Sequence, residues 1–103
     1  MVLFTKSIIK QLEKKPLYST EGQGMKAKVI VKIFNPFGAG TWLITEGEKQ
    51  ENGDWLLFGY FHLHEWEWGY VLMSDLVNTR IGRYRLRLER EMYQKGTVED
   101  ICR

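Results

Sequence analysis

A chain of 103 residues has room for one hydrophobic core and no second, so residues 1–103 read as a single domain. Its apolar fraction of 44%, with five Phe, five Tyr and four Trp, excludes a disordered chain, and no apolar run approaches the ~18 residues of a membrane helix. The net charge of +2 and pI ≈ 8.7 fall short of the strongly basic domains that bind DNA without sequence preference.

Lys6 and Lys10 interrupt the apolar stretch that a secretory leader would need, which places the chain in the cytoplasm with no membrane contact. The single cysteine, Cys102, allows no internal disulfide and no Cys-rich metal site, and fits a reducing compartment. Charge is distributed in blocks. Residues 1–35 carry seven Lys against Glu13 and Glu21, residues 46–75 carry seven acids against Lys49, and residues 80–95 carry six bases against Glu89 and Glu91. Such blocks either neutralise one another across a sheet or leave one acidic and one basic face.

Thr5 is a good helix N-cap, and Ile8, Ile9 and Leu12 fall on one stripe, predicting an amphipathic helix over residues 6–14 that Pro16 stops. Residues 17–24, with Gly22 and Gly24, read as a connecting loop. From 26 to 34, Lys26, Lys28, Ile30 and Lys32 alternate against Ala27, Val29, Val31 and Ile33, the period of a strand with one buried face. Asn35-Pro36-Phe37-Gly38-Ala39-Gly40 supplies a turn, and residues 41–45 a second strand that completes a hairpin.

Residues 46–54 read as a polar loop turning at Asn52-Gly53-Asp54. A strongly aromatic third strand follows over 55–62 and a fourth over 66–72, antiparallel because the connections are too short for a crossover helix. Ser74 is read as the cap of a second helix of about two turns, with Leu76 and Val77 inward and Gly82 closing it. Residues 84–92 read as a last strand, and Thr97 as the cap of a short terminal helix. The fold class is therefore α+β, a small antiparallel sheet of four to five strands with two to three short helices.

Three groups of residues could carry function. His62 and His64 would share a face of a strand, with Glu46, Glu65 or Glu67 as further ligands, but without an identifiable third ligand no metal is assigned and no cofactor is expected. Arg83, Arg85 and Arg87 alternate with Tyr84, Leu86 and Leu88, so on a strand three guanidiniums would form a row. That row could pair with the acidic block, bind an acidic or mixed-charge protein partner, or, with Tyr18 or Tyr93 beside it, track a nucleic-acid backbone. Thirdly, Trp42, Trp55, Phe58, Tyr60, Phe61, Trp66, Trp68 and Tyr70 are more aromatics than strand alternation can send inward. They form either a core with an aromatic lid, interface anchors or stacking platforms for bases. No Ser-His-Asp order, Cys-His pair or phosphate-binding glycine loop appears, so the chain reads as leaning away from an enzyme.

The order of Leu3-Phe4-Thr5-Lys6-Ser7-Ile8-Ile9, Leu17-Tyr18-Ser19-Thr20-Glu21, Val31-Lys32-Ile33-Phe34-Asn35-Pro36, Thr41-Trp42-Leu43-Ile44-Thr45-Glu46, Phe58-Gly59-Tyr60, Gly69-Tyr70-Val71-Leu72-Met73-Ser74-Asp75-Leu76 and Leu88-Glu89-Arg90-Glu91 resembles a family of small bacterial proteins, domain of unknown function 2958. The resemblance covers nearly the whole chain and implies a setting on plasmids and integrative elements. It carries no catalytic residue over. Where the family usually has a Glu-Arg-Asp step, this chain has Glu89-Arg90-Glu91, which keeps the charge. A shared site would centre on Trp42, Glu46, Glu89 and Arg90, holding a ligand by stacking and ion pairing; the alternative is a Glu46–Arg90 ion pair that fastens the sheet. The resulting expectation is a non-enzymatic accessory protein of a mobile element that binds another protein, with possible action against a host defence such as restriction or CRISPR. The alternatives are a nucleic-acid module and a small metal-dependent hydrolase around His62, His64 and Glu46.

Overall fold

The computed structural model describes residues 2–91 and 96–102. Helix α1 (Lys6–Glu13) starts where Thr5 accepts a hydrogen bond from the Ile8 amide at 3.3 Å, and it buries Ile8 and Leu12. A five-stranded antiparallel sheet follows, formed by β1 (Val31–Phe34), β2 (Thr41–Lys49), β3 (Trp55–His62), β4 (Trp66–Leu72) and β5 (Glu89–Arg90). Across the sheet the order is β4-β3-β2-β1-β5, so β4 is an edge strand. Helices α2 (Met73–Asn78) and α3 (Val98–Cys102) complete the expected α+β arrangement.

The two faces of the sheet bury different clusters. On the first face, Val31, Ile33, Ile44, Leu57 and Phe61 pack with Ile8 and Leu12 of α1 and Leu76 of α2. On the second, Leu43 packs with Val29 and Val98, and Met25, Tyr60, Trp66, Ile101 and Cys102 lean against them. Burial alternates along residues 26–34 as expected, yet only Val31–Phe34 is strand. Val29 belongs to one cluster and Val31 to the other, so the chain passes from one face to the other near Ile30. Before that point its pairing is with the C-terminal segment: Lys28 bridges Thr97, and Val98 donates to the Ala27 carbonyl at 2.9 Å.

The feature that decides the site is a bulge in β2. Residues 46–49, expected in a loop, continue the strand. Ile44 pairs with Gly59 and Glu46 pairs with Phe58, leaving Thr45 as the extra residue. In a regular strand Trp42, Ile44 and Glu46 would share a face; one inserted residue sends Glu46 to the other side. Opposite the bulge, a Cβ on Gly59 would lie 1.9 Å from the Leu43 carbonyl oxygen, so the close approach of β2 and β3 requires glycine there.

Two other expectations are corrected. Ser74 lies inside α2, whose N-cap position is Leu72. Capping comes instead from the loop before β3, where Asp54 accepts from the Ser74 amide at 3.1 Å and from its hydroxyl at 2.5 Å. Helix α2 ends at Asn78, well short of Gly82. The last strand is also much shorter than residues 84–92. Ile81 and Leu86 exchange backbone hydrogen bonds across a turn in which Gly82 and Arg85 have φ of +67° and +53°, so the chain doubles back where the alternation suggested extension. Residue 92 and Tyr93 lie outside the described residues. At α3 the expected cap forms: Thr97 accepts from the Asp100 amide at 3.2 Å while Asp100 accepts from the Thr97 amide at 3.0 Å, a reciprocal cap.

Candidate functional site

The residues expected to share a site fall on two faces. Arg90 pairs with Ile33, which pairs with Trp42, so Trp42 and Arg90 lie on the first face, two strands apart. Glu89 pairs with Phe34 and lies, like Glu46, on the second. A Glu46–Arg90 ion pair is not formed. The Arg90 guanidinium donates to the Val2 carbonyl at 3.4 Å, and its Nε is buried without a hydrogen-bond partner. Among the described residues no ion pair joins the acidic block of residues 46–75 to either basic block.

The arginine row is not assembled. Arg83 and Arg85 sit in the 81–86 turn, Arg87 follows it outside any strand, and all three are exposed. The histidines separate as well. His62 ends β3 with its ring 5.1 Å from Trp66, whereas His64 is in the following turn. Glu46 pairs with Phe58, four residues before His62, roughly 13 Å along the strand at 3.3 Å per residue. Among the described residues no three His, Cys, Asp or Glu side chains converge as a metal site.

What the bulge does assemble is a cleft around Glu46. Its carboxylate, 3% exposed, accepts from the Tyr18 amide at 2.7 Å, from the Thr20 amide at 3.0 Å and from the Thr20 hydroxyl. Hydrogen bonds to a charged acceptor are worth about 1.5–3 kcal/mol each, so this side chain fastens the loop after α1 onto the sheet. The next residue adds a fourth fastening, since the Gly47 amide donates to the Lys15 carbonyl at 3.0 Å. Gly47 sits in a tight place: a Cβ there would stand 3.0 Å from the Leu57 side chain and 3.2 Å from the Leu12 side chain. Thr20 is buried, while Tyr18 adopts φ +73° and remains 65% exposed. A tyrosine in the left-handed region costs of order 1–3 kcal/mol, and the Glu46 bond to its amide holds it there.

Beside this loop the aromatics of β3 and β4 form a continuous row. Tyr60 stacks on Trp66 with ring centres 5.0 Å apart and contacts Trp68 at 4.8 Å. Phe58 stacks on Trp68 at 5.6 Å and meets Tyr70 at 5.0 Å. Tyr60 with Trp68 and Phe58 with Tyr70 are directly opposed across the strands, while the stacked pairs Tyr60–Trp66 and Phe58–Trp68 are diagonal neighbours, each aromatic pair contributing about 0.5–1.5 kcal/mol beyond its buried area. Helix α3 and the segment near Val29 cover the Trp66 end. The other end is open, with Trp68 39% and Tyr70 50% exposed.

Loop and row together enclose a cleft of about 310 Å³, lined by Phe58, Trp68, Tyr70 and Tyr18, with Glu46 and Thr20 deep and Glu21 in its wall. Hydrogen bonding with Tyr18, then burial, then the Tyr18, Glu46 and Glu21 charges hold the Tyr70 phenol above its ordinary value of 10.0. Glu46, Phe58, Trp68 and Tyr70 are among the residues singled out from the sequence; Thr20 is not, and Tyr18 lines this cleft instead of standing beside the arginines. The available signal is a lone carboxylate inside the otherwise uncharged run Leu43-Ile44-Thr45-Glu46-Gly47, which burial obliges to find donors.

Among the described residues no helix is long and apolar enough to cross a membrane. No curated protein and no solved structure matches the chain. The family model described as a protein of unknown function (DUF2958) matches residues 3–99, and the chain belongs to that family.

Proposed function

We propose that this protein is a non-enzymatic interaction module of the cytoplasm whose second sheet face binds another protein. The observation that carries the reading is the row Trp66, Tyr60, Trp68, Phe58 and Tyr70, rigidified by ring contacts and left open at Trp68 and Tyr70. Large aromatics held in place by neighbours bury much area at little entropic cost, which is why they anchor protein interfaces. Stacked aromatics also serve nucleic-acid binding, but Glu46 and Glu21 share the cleft wall with Trp68 and Tyr70, and carboxylates repel a phosphate backbone. The mobile-element setting implied by the family resemblance makes a protein of the host or of the element the partner class, with interference in a host defence as one role.

A nucleic-acid role through Arg83, Arg85 and Arg87 is the second reading, favoured by their exposure on and just after the 81–86 turn, free of acidic partners among the described residues. Affinity purification of the tagged protein from its own host, with and without nuclease, separates the two. A stoichiometric protein that survives nuclease supports the interaction module. Recovery of nucleic acid alone, or of proteins lost on nuclease treatment, contradicts it and moves the arginine turn forward.

A further inference from the structure

Resting on the reading of the aromatic face as a protein-binding surface, we propose that the cleft between the 17–24 loop and strands β3 and β4 receives a basic side chain, arginine or lysine, of the partner protein.

The chemistry of the lining selects a cation. Phe58, Trp68, Tyr70 and Tyr18 present ring surface from two sides, Glu46 lies at depth and Glu21 stands in the wall, and no lysine or arginine lines the cleft. Aromatic faces attract ammonium and guanidinium groups through the ring quadrupole, most strongly where water is displaced. The Glu46 carboxylate is buried and held by two amides and a hydroxyl, yet among the described residues no cation lies within ion-pair reach of it. Its negative charge is therefore fixed in place before any ligand arrives. A phosphate or carboxylate ligand would meet two carboxylates and no compensating base.

Two features place that cation on a protein chain. The cleft runs out onto Trp68 and Tyr70, which remain 39% and 50% exposed, so residues flanking the basic side chain have ring surface to cover. In addition, β4 is the edge of the sheet, and its free backbone groups can pair with an extended segment lying alongside.

The test is a titration of the full chain with the blocked tripeptides acetyl-Gly-Arg-Gly-amide and acetyl-Gly-Lys-Gly-amide, followed by nuclear magnetic resonance of the tryptophan and tyrosine rings. Saturable shifts are expected at Trp68, Tyr70 and Tyr18. A citrulline tripeptide, which keeps the shape and loses the charge, should bind about tenfold more weakly, the size of one good cation–π contact. Trp68→Ala and Glu21→Gln should each weaken binding severalfold. Both side chains are solvent-exposed, and unchanged amide signals in β1 and β2 confirm that the variants fold. Equal binding of the citrulline peptide, stronger binding of a glutamate peptide, or no shift at millimolar concentration would overturn the proposal. Methylguanidinium binding as tightly as the arginine tripeptide would make the occupant a small free cation and overturn the assignment to a partner. A nuclease-resistant protein partner lost from Trp68→Ala but held equally by wild type and Glu21→Gln would overturn the basic side chain in the cleft while leaving the aromatic-face reading in place.

Discussion

Replacing Glu46 by glutamine keeps the side chain's volume and turns one of its two acceptor oxygens into a donor. The remaining oxygen can serve the Thr20 amide and hydroxyl, but the new amide group then faces the Tyr18 amide across 2.7 Å, donor against donor. One charge-assisted bond is lost, about 1.5–3 kcal/mol, and the two retained bonds weaken with the charge. Release of Tyr18 from φ +73° returns part of a strain of about 1–3 kcal/mol. The net expectation is a loss of about 2 kcal/mol in urea unfolding, or roughly 8–16 °C in Tm for a domain of this size. Amide hydrogen exchange supplies the local readout: the Tyr18 and Thr20 amides should exchange faster in Glu46→Gln by more than the global loss explains. A loss below about 0.5 kcal/mol, with exchange at those two amides unchanged, would refute the claim that this carboxylate holds the loop.

Gly59→Ala places a methyl group 1.9 Å from the Leu43 carbonyl oxygen and should cost at least the 1–3 kcal/mol typical of overpacking, whereas Gly38→Ala, whose Cβ meets nothing nearer than 3.6 Å, should stay within about 0.5 kcal/mol of wild type; thermal unfolding of the pair checks this. Hydrogen bonds from the Ser74 hydroxyl, then from the Trp55 and Ser74 amides, depress the Asp54 carboxyl below its ordinary value of 3.8. A depressed folded-state value gives stability that is present above the unfolded value and lost as pH falls through the folded one, so acid unfolding below about pH 4 should start at higher pH in Ser74→Ala than in wild type. The raised Tyr70 phenol has the opposite sign: its contribution is complete below pH 10 and is lost as pH rises through the folded value. Tyr18→Phe removes the leading cause, so ultraviolet titration should show Tyr70 ionising at lower pH in that variant; an unchanged titration would disprove the coupling of the two phenols.

The parts of the fold that were legible in the sequence are those set by local pattern. Strands form over Trp55–His62 and Trp66–Leu72 as expected, and burial alternates strictly along the first of them. Thr5 and Thr97 each act as predicted because capping is decided within four residues. The site was harder to read because one inserted residue controls it. Nothing in Ile44-Thr45-Glu46 announces a bulge, and without one Trp42 and Glu46 belong together. Once Thr45 is recognised as the extra residue, Glu46 changes face and meets Tyr18 and Thr20, partners about 26–28 positions earlier that no short-range rule connects. The arginines failed for a different reason. Arg83, Arg85 and Arg87 keep a strand's period, but Gly82 and Arg85 take left-handed backbone angles and close a turn, a choice made by the Ile81–Leu86 pairing. Asp54 illustrates the same limit, since it caps a helix that begins nineteen residues later in the chain.

The central claim is that the open end of the aromatic row is a protein-binding surface. Its most direct test is affinity purification after nuclease treatment, comparing wild type with the double variant Trp68→Ser and Tyr70→Ser, whose fold is checked by the unchanged hydrogen exchange of β2. The account predicts a stoichiometric protein bound to wild type and lost from the variant. The same protein bound to both, or nucleic acid as the sole species recovered, would contradict it.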